Sequence, residues 1–207
     1  MADEIVLYTN PQSRGLIAHW MLEEIGCPYR LEIMAFGGAM KSPDYLAINP
    51  MGKVPAISHG STVVTEAAAI LAYLADAFPK ANLAPPVGQR GAYYRWLFFV
   101  AGCCEPAMAD KSVGWIPDTV QLRGRFGYGS YDQTIDTITK AVEGHRYIAA
   151  DYFTAADVYA ASFLNFGMMF GMVEKRPAFE AYIGPLLERP AAKRTGEQAA
   201  KLTAASA

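Results

Sequence analysis

Three short runs in this chain carry side chains suited to gripping a small charged thiol or peptide. The first is Tyr8-Thr9-Asn10-Pro11-Gln12-Ser13-Arg14, where a strand-like run gives way to a helix-like one. A hydroxyl at such a junction sits beside free backbone N–H groups and the positive end of a helix dipole, which suits an anion or a thiolate. The competing reading is that Ser13 only caps the helix. The second run is Asn49-Pro50-Met51-Gly52-Lys53-Val54-Pro55. A proline at a strand start cannot donate to the ladder. A cis Val54-Pro55 bond would turn the Val54 N–H and C=O outward, free to pair with another extended chain. An ordinary turn before a strand is the plainer alternative. The third is Thr65-Glu66-Ala67-Ala68-Ala69-Ile70-Leu71. Glu66 stands at a strand end where a helix begins. Its carboxylate can accept from a ligand ammonium while helix N–H groups take a ligand carboxylate; it can also simply complement the helix dipole. Together the three runs offer a hydroxyl, a backbone edge, a lysine and an acid. That set suits a small peptide with a carboxylate at each end and an amine.

The elements that must position these runs follow from the hydrophobic pattern. Ile5 to Thr9 is a β-rich run ended by Asn10-Pro11, and Ile17, Trp20, Met21, Glu24 and Ile25 keep helical spacing up to Gly26. Tyr29 to Met34 alternates as a strand, and a short helical turn follows over Pro43 to Ala47. Val54 to Ser58 and Thr62 to Thr65 are strand runs joined by His59-Gly60-Ser61, a hairpin signal. Ala67, Ile70, Leu71, Leu74 and Phe78 form one apolar helical stripe. The order β-α-β-α-β-β-α predicts a small α/β sheet domain that brings the three runs to one sheet end. The stretch Pro79 to Pro86 reads as a linker. Beyond it the pattern predicts only helices, over 90–110, 118–143, 154–170, 177–188 and 191–202. Three glycines between Gly124 and Ser130 predict a break in the second of these. The helix after Thr154 is apolar nearly all round, which predicts a buried axis, and Thr154-Ala155-Ala156-Asp157 predicts its capped start. The alanine-rich tail from Ala199 is expected to fray.

Composition narrows the function classes. The 207 residues are 52% hydrophobic and 18% charged, enough apolar material for a large core. The net charge is -2, with no basic stripe to release counterions from a phosphate backbone, so no nucleic-acid partner is expected. The apolar runs Ala67 to Ala75 and Trp96 to Ala101 are too short to cross a bilayer. The start MADEIVLYTN lacks the basic region of a signal peptide, which points to the cytoplasm. Three cysteines, Cys27, Cys103 and Cys104, with no C-x-x-C, fit a reduced compartment, and no metal is expected. Twelve tyrosines, ten phenylalanines and nine methionines fill a core or line an apolar ligand pocket; Phe36, Phe99, Trp115 and Met168-Met169-Phe170 are the pocket candidates.

On the runs LYTNPQSRG…WMLEEIG, AINPMGKVPAI and VVTEAAAILAYLADAF, with FTAADVYAA and KRPAFEAYIGPLLERPAA in the second half, the sequence resembles the cytosolic glutathione transferases of bacterial type. The resemblance covers essentially the whole chain. It implies a thioredoxin-like α/β domain over residues 1–78 (βαβ-ββα), a linker over 79–87 and an all-α domain over 88–207. It implies a homodimer, glutathione as cosubstrate on the first domain, and a small hydrophobic electrophile in a pocket between the domains. Carried over residue by residue, Val54 pairs with the cysteinyl backbone of glutathione beside cis Pro55. Glu66 and the N–H of Ala67 hold the γ-glutamyl end, and Lys53 reaches the glycine carboxylate.

Two positions depart from the family pattern. Many relatives have Ser where this chain has Ala67, a loss of roughly 0.5–1.5 kcal/mol for one hydrogen bond. Some bacterial classes have Cys where this chain has Arg14. Ser13 is therefore the favoured thiol-activating residue, donating to the thiolate, with Tyr8 the fallback and Asn10 a third; the helix terminus and Arg14 add positive potential. Two rivals keep the same fold: a glutathione-dependent disulfide reductase that uses only bound glutathione, and a non-catalytic carrier of glutathione or apolar compounds.

Overall fold

A computed structural model describes residues 4–205. The first three residues of the N-terminal run MADEIVLYTN, on which the localisation expectation rests, lie outside that range. The described residues form two compact units, one of residues 4–82 with 189–205 and one of residues 83–188.

In the first unit, β1 (Ile5–Thr9) carries no charge, as suits a strand with neighbours on both sides. β2 (Tyr29–Ile33) carries Arg30 and Glu32 and lies at a sheet edge, where charge blunts further pairing. With β3 (Ala56–His59) and β4 (Thr62–Thr65) the sheet order is β2-β1-β3-β4; β1 and β2 are parallel and the other pairs antiparallel. The sequence pattern starts the third strand at Val54, but it starts at Ala56, because Pro55 has no N–H for the ladder. The parallel crossover is α1 (Gly15–Ile25), which stops at Gly26 in the left-handed region. α3 (Ala67–Ala77) packs beside α1. Leu7, Met21, Leu22, Ile70, Leu71 and Leu74 are buried completely in this layer. Tyr8 points to the opposite sheet face. There it joins Met34, Met40, Tyr45 and Ala56, with Tyr45 supplied by α2 (Pro43–Ile48).

The second unit is helical. α4 (Gly91–Phe99) runs through a π-helical turn, Val100–Cys104, into α5 (Glu105–Ser112). The expected break in 118–143 is present: α6 (Val120–Arg125) and α7 (Tyr131–Val142) are separated by a loop with Gly129 at φ 67°. α8 (Ala155–Met169) starts on the Thr154–Asp157 capping box and is buried along most of its length. Its end is not: Met169 is 68% and Phe170 61% exposed, so the axis emerges from the core in its last turn. α9 (Pro177–Leu187) follows. The proline-rich linker is tied down, since buried Leu83 accepts a hydrogen bond from the Ala155 N–H at 2.8 Å.

α10 (Pro190–Ala205) corrects two expectations. It is helical through Ala205 rather than frayed from Ala199, and it groups with the sheet unit rather than with the helical one. Both have one cause, its seat on α1. Ala191, Thr195 and Ala199 are buried along one face. Arg189 makes two 2.7 Å bonds to the Glu24 carboxylate, Arg194 bonds Glu23 at 2.6 Å, and Gln198 meets His19 at 2.9 Å. No helix among the described residues is long and apolar enough to cross a membrane.

Candidate functional site

Sheet pairing gathers the three chemical runs. Tyr8 pairs with Ala56, and Ala56 pairs with Thr65. β1 ends, β3 begins and β4 ends along this row. The turn after Thr9, the Val54-Pro55 segment and the Glu66-Ala67 start of α3 therefore leave the sheet at one end.

The first turn is locked from within. Asn10 is buried; its Oδ1 accepts from the Gln12 N–H at 2.9 Å and its Nδ2 donates to the Met34 carbonyl at 2.9 Å. Its amide thus ties the turn to Gln12 on one side and to Met34 on the other. Ser13 Oγ donates to the Asn10 carbonyl at 2.8 Å and accepts from the Gly15 N–H at 2.9 Å. Only glycine fits at position 15, since a Cβ there would come within 2.0 Å of the buried Thr9 Oγ1.

The second loop is held by its neighbours. The Lys53 carbonyl accepts from Tyr45 Oη at 2.6 Å and from Asn49 Nδ2 at 2.8 Å. Burial raises the Tyr45 phenol to about 12, so it stays a donor. The Val54-Pro55 peptide is cis, as the sequence reading anticipates. The N–H and C=O of Val54 take no hydrogen-bond partner among the described residues. Gly52 has φ 58°, and a Cβ there would lie 2.5 Å from the Met40 carbonyl and 2.7 Å from Lys41 Nζ. Lys41 can therefore arch over this loop, where its ammonium donates to the Met51 carbonyl at 3.0 Å.

Turn and loop enclose a cleft of about 390 Å³ whose walls include Ser13, Arg14, Phe36, Lys41, Lys53 and Val54. Three cations on one small cleft favour a ligand with negative charge. The sequence reading names Ser13, Lys53 and Val54, with Pro55 buried behind them, but misses Lys41; the one local signal for it is the glycine at 52. Glu66 and Ala67 stand on the adjoining loop rather than in the cleft wall. Glu66 is exposed, makes no capping bond to α3, and has φ 69°, a left-handed conformation costly for a residue with a Cβ. Tyr8 is the residue that does not join this group: its ring packs against Tyr45 with centroids 5.6 Å apart, within the Met34–Met40 cluster.

The aromatic candidates divide. Phe36 is 58% exposed on the cleft wall. Phe99 lines a different cavity, of about 290 Å³, in the helical unit. Trp115 packs edge-on to Phe126 with centroids 4.7 Å apart. The protein's own thiols are not poised for attack. Burial pushes Cys27, Cys103 and Cys104 above the ordinary thiol range, Cys104 most of all, so each is held in its unreactive protonated form.

Known proteins converge on one family. The sequence profile of the glutathione S-transferase N-terminal domain matches residues 15–77. Glutathione S-transferase GST-4.5 of Xanthomonas campestris pv. campestris is 31% identical over 159 residues, 74% of this chain and 78% of that protein. The chain belongs to the glutathione S-transferase family. Solved glutathione transferases share its fold. One from Phanerochaete chrysosporium, in complex with oxidized glutathione, is 25% identical with a TM-score of 0.78, over 97% of this chain and 98% of that one. A sphingomonad glutathione S-transferase complexed with glutathione is 25% identical with a TM-score of 0.76, over 94% and 98%.

Proposed function

We propose that this protein is a glutathione transferase that joins the glutathione thiolate to small hydrophobic electrophiles. The observation that carries the reading is the union of Ser13, Arg14, Lys41, Lys53 and the unpaired Val54 backbone on one cleft at the sheet end. Glutathione is a tripeptide with two carboxylates, an ammonium and a thiol. Val54 pairs with its cysteinyl backbone, Lys53 and Lys41 take the glycine carboxylate, and Glu66 with the Ala67 N–H takes the γ-glutamyl end. The sulfur then faces the turn of residues 12–14. In the reaction a sulfur–carbon bond forms, a leaving group such as chloride departs with its electron pair, and the thiol proton passes to water. Phe36 on the cleft wall supports an apolar electrophile. A cytoplasmic homodimer belongs to the same reading, and light scattering tests the dimer.

The test is conjugation of glutathione to a chlorodinitrobenzene, followed by absorbance. Glutathione-dependent turnover is expected, and its absence across a panel of chlorinated aromatics and epoxides would sink the transferase reading while leaving the carrier. A second reading, reduction of disulfides with bound glutathione, is favoured by the oxidized glutathione held by the Phanerochaete chrysosporium relative. Faster turnover of a small disulfide than of any alkylating substrate would select it.

A further inference from the structure

Tyr131, at the start of α7, ties three element ends together. Its hydroxyl donates to the Met172 carbonyl just past α8 at 2.7 Å, and the Lys111 ammonium, in the last turn of α5, lies 3.5 Å from its ring centroid. The end of α5, the start of α7 and the end of α8 therefore meet at one end of the helical unit. The chain between α5 and α7 is held in shape there. The Trp115 N–H bonds the Asp110 carbonyl at 2.9 Å, the Trp115 ring packs on Phe126, and Arg123 Nε donates to the Pro117 carbonyl at 3.0 Å.

What this end presents is apolar. Val113, Trp115, Ile116, Val120 and Phe126 are all exposed, Val120 at 85%. Met169 and Phe170, where α8 leaves the core, are exposed at the same end. Apolar side chains scattered singly over a surface need no account, but a group of this size marks an interaction surface. Charge narrows the choice of occupant. Residues 111–126 carry Lys111, Arg123 and Arg125 against Asp118 alone, in a chain whose net charge is -2. Asp110, just before this run, accepts from the Tyr128 hydroxyl at 2.7 Å. Asp132 and Glu174 stand with Lys175 outside the run, so the positive charge is confined to it. A second copy meeting this face about a two-fold axis would set these cations against their own kind. A lipid surface with anionic headgroups takes both features. Its charge complements the cations, and its interfacial layer admits loop-borne Trp, Ile and Val without demanding a matching shape.

We propose that the 111–126 run is a peripheral docking surface for an anionic lipid membrane. Val113, Trp115, Ile116 and Val120 enter the headgroup layer, and Lys111, Arg123 and Arg125 hold the lipid charge. Such contact needs no spanning helix and is independent of the glutathione reading.

Flotation of the full chain with phosphatidylcholine vesicles, with and without equal parts of phosphatidylglycerol, measures the binding. Tryptophan emission reads the contact itself, because Trp20 and Trp96 are buried while Trp115 is 38% exposed. On anionic vesicles the chain is expected to co-float, with its emission shifted to the blue and shielded from acrylamide. Joint replacement Val113→Ser, Ile116→Ser and Val120→Ser, all at exposed positions, is expected to weaken binding about 10-fold or more at an unchanged melting temperature. Arg125→Gln is expected to weaken it about fivefold, and added salt to weaken the parent more than this variant. Absence of the parent from floated anionic vesicles overturns the proposal, as does equal binding to phosphatidylcholine alone. So does parent-like binding by the triple variant, or binding with no change in tryptophan emission, since the contact would then lie elsewhere. If the parent ignores vesicles but self-associates in light scattering, and the triple variant does not, a second copy covers this face and the proposal is wrong.

Discussion

Asp157 and Glu66 are both acids at the start of a helix, and the structure treats them oppositely. Asp157 is wholly buried and every lone-pair direction is used. One oxygen accepts from the Ile148 N–H and Tyr182 Oη, each at 2.8 Å; the other accepts from the Thr154 N–H at 2.8 Å and Thr154 Oγ1 at 3.1 Å. Glu66 is exposed, its carboxylate makes no capping bond to its helix, and its backbone is held at φ 69°. The saturated acid closes a core, tying α8 to α9 and to the segment before it. The open one is set at local backbone cost with its carboxylate facing solvent. Chemistry on this chain is thus to be sought where polar groups are underused, at the sheet end, and not where they are most numerous.

The largest effect follows from the saturated acid. Asp157→Ala strands the Ile148 N–H and Tyr182 hydroxyl in the core, and a loss of about 3 kcal/mol or more is expected. Thermal denaturation checks it, with a fall of about 6–12 °C for a chain of this size. Glutathione affinity of the fraction still folded should not change. A drop in affinity at constant fold would break the contrast, because Asp157 would then serve the site as well as the core.

Glu66→Gly inverts the pattern. Glycine adopts φ 69° without a Cβ penalty, a relief of about 1 kcal/mol that offsets its added unfolded-state freedom of about 0.5–1 kcal/mol. Stability should stay within about 1 kcal/mol of the parent. Glutathione affinity should fall about 10- to 100-fold, the loss of a hydrogen bond to a charged group. Calorimetry alongside a melting curve separates the two. Affinity left intact would make Glu66 a bystander at the helix start.

How far these two acids could be read from sequence marks what patterns carry. Thr154-Ala155-Ala156-Asp157 is a local capping signature, so its role follows from four adjacent residues. The strand and helix order of the sheet unit was legible for the same reason, whereas the cis Val54-Pro55 peptide followed from the family resemblance, because trans is the default before proline. The strain at Glu66, the reach of Lys41 across Gly52 and the engagement of the Ser13 hydroxyl are not local signals. Each depends on where a folded neighbour lies, and Lys41 is twelve residues from Lys53 in the chain. The seat of α10 on α1 is the extreme case. Arg189 and Glu24 are 165 residues apart, and no spacing rule links them.

The smallest effect tests whether that seat behaves like the saturated acid or like the open one. His19 is 1% exposed, and its Nε2 meets Gln198 Oε1 at 2.9 Å and Tyr29 Oη at 2.8 Å. Tyr29 in turn donates to Glu23, which also receives Arg194. Burial is the largest influence on the imidazole and lowers its pKa below 6.5, against weaker raising by the Gln198 bond and the Glu23 charge. In the unfolded chain His19 takes a proton near 6.5, while in the folded chain it resists until a lower pH. The unfolded state therefore binds more protons in that window, and stability falls as pH drops below 6.5, by at most about 1.4 kcal/mol per pH unit. Melting curves at about pH 7.5 and about pH 5.5 should differ by a few degrees more in the parent than in His19→Gln, whose amide does not titrate. An equal pH response in both would mean that His19 charges in place without cost. The junction between α1 and α10 would then be open to water, closer in kind to Glu66 than to Asp157.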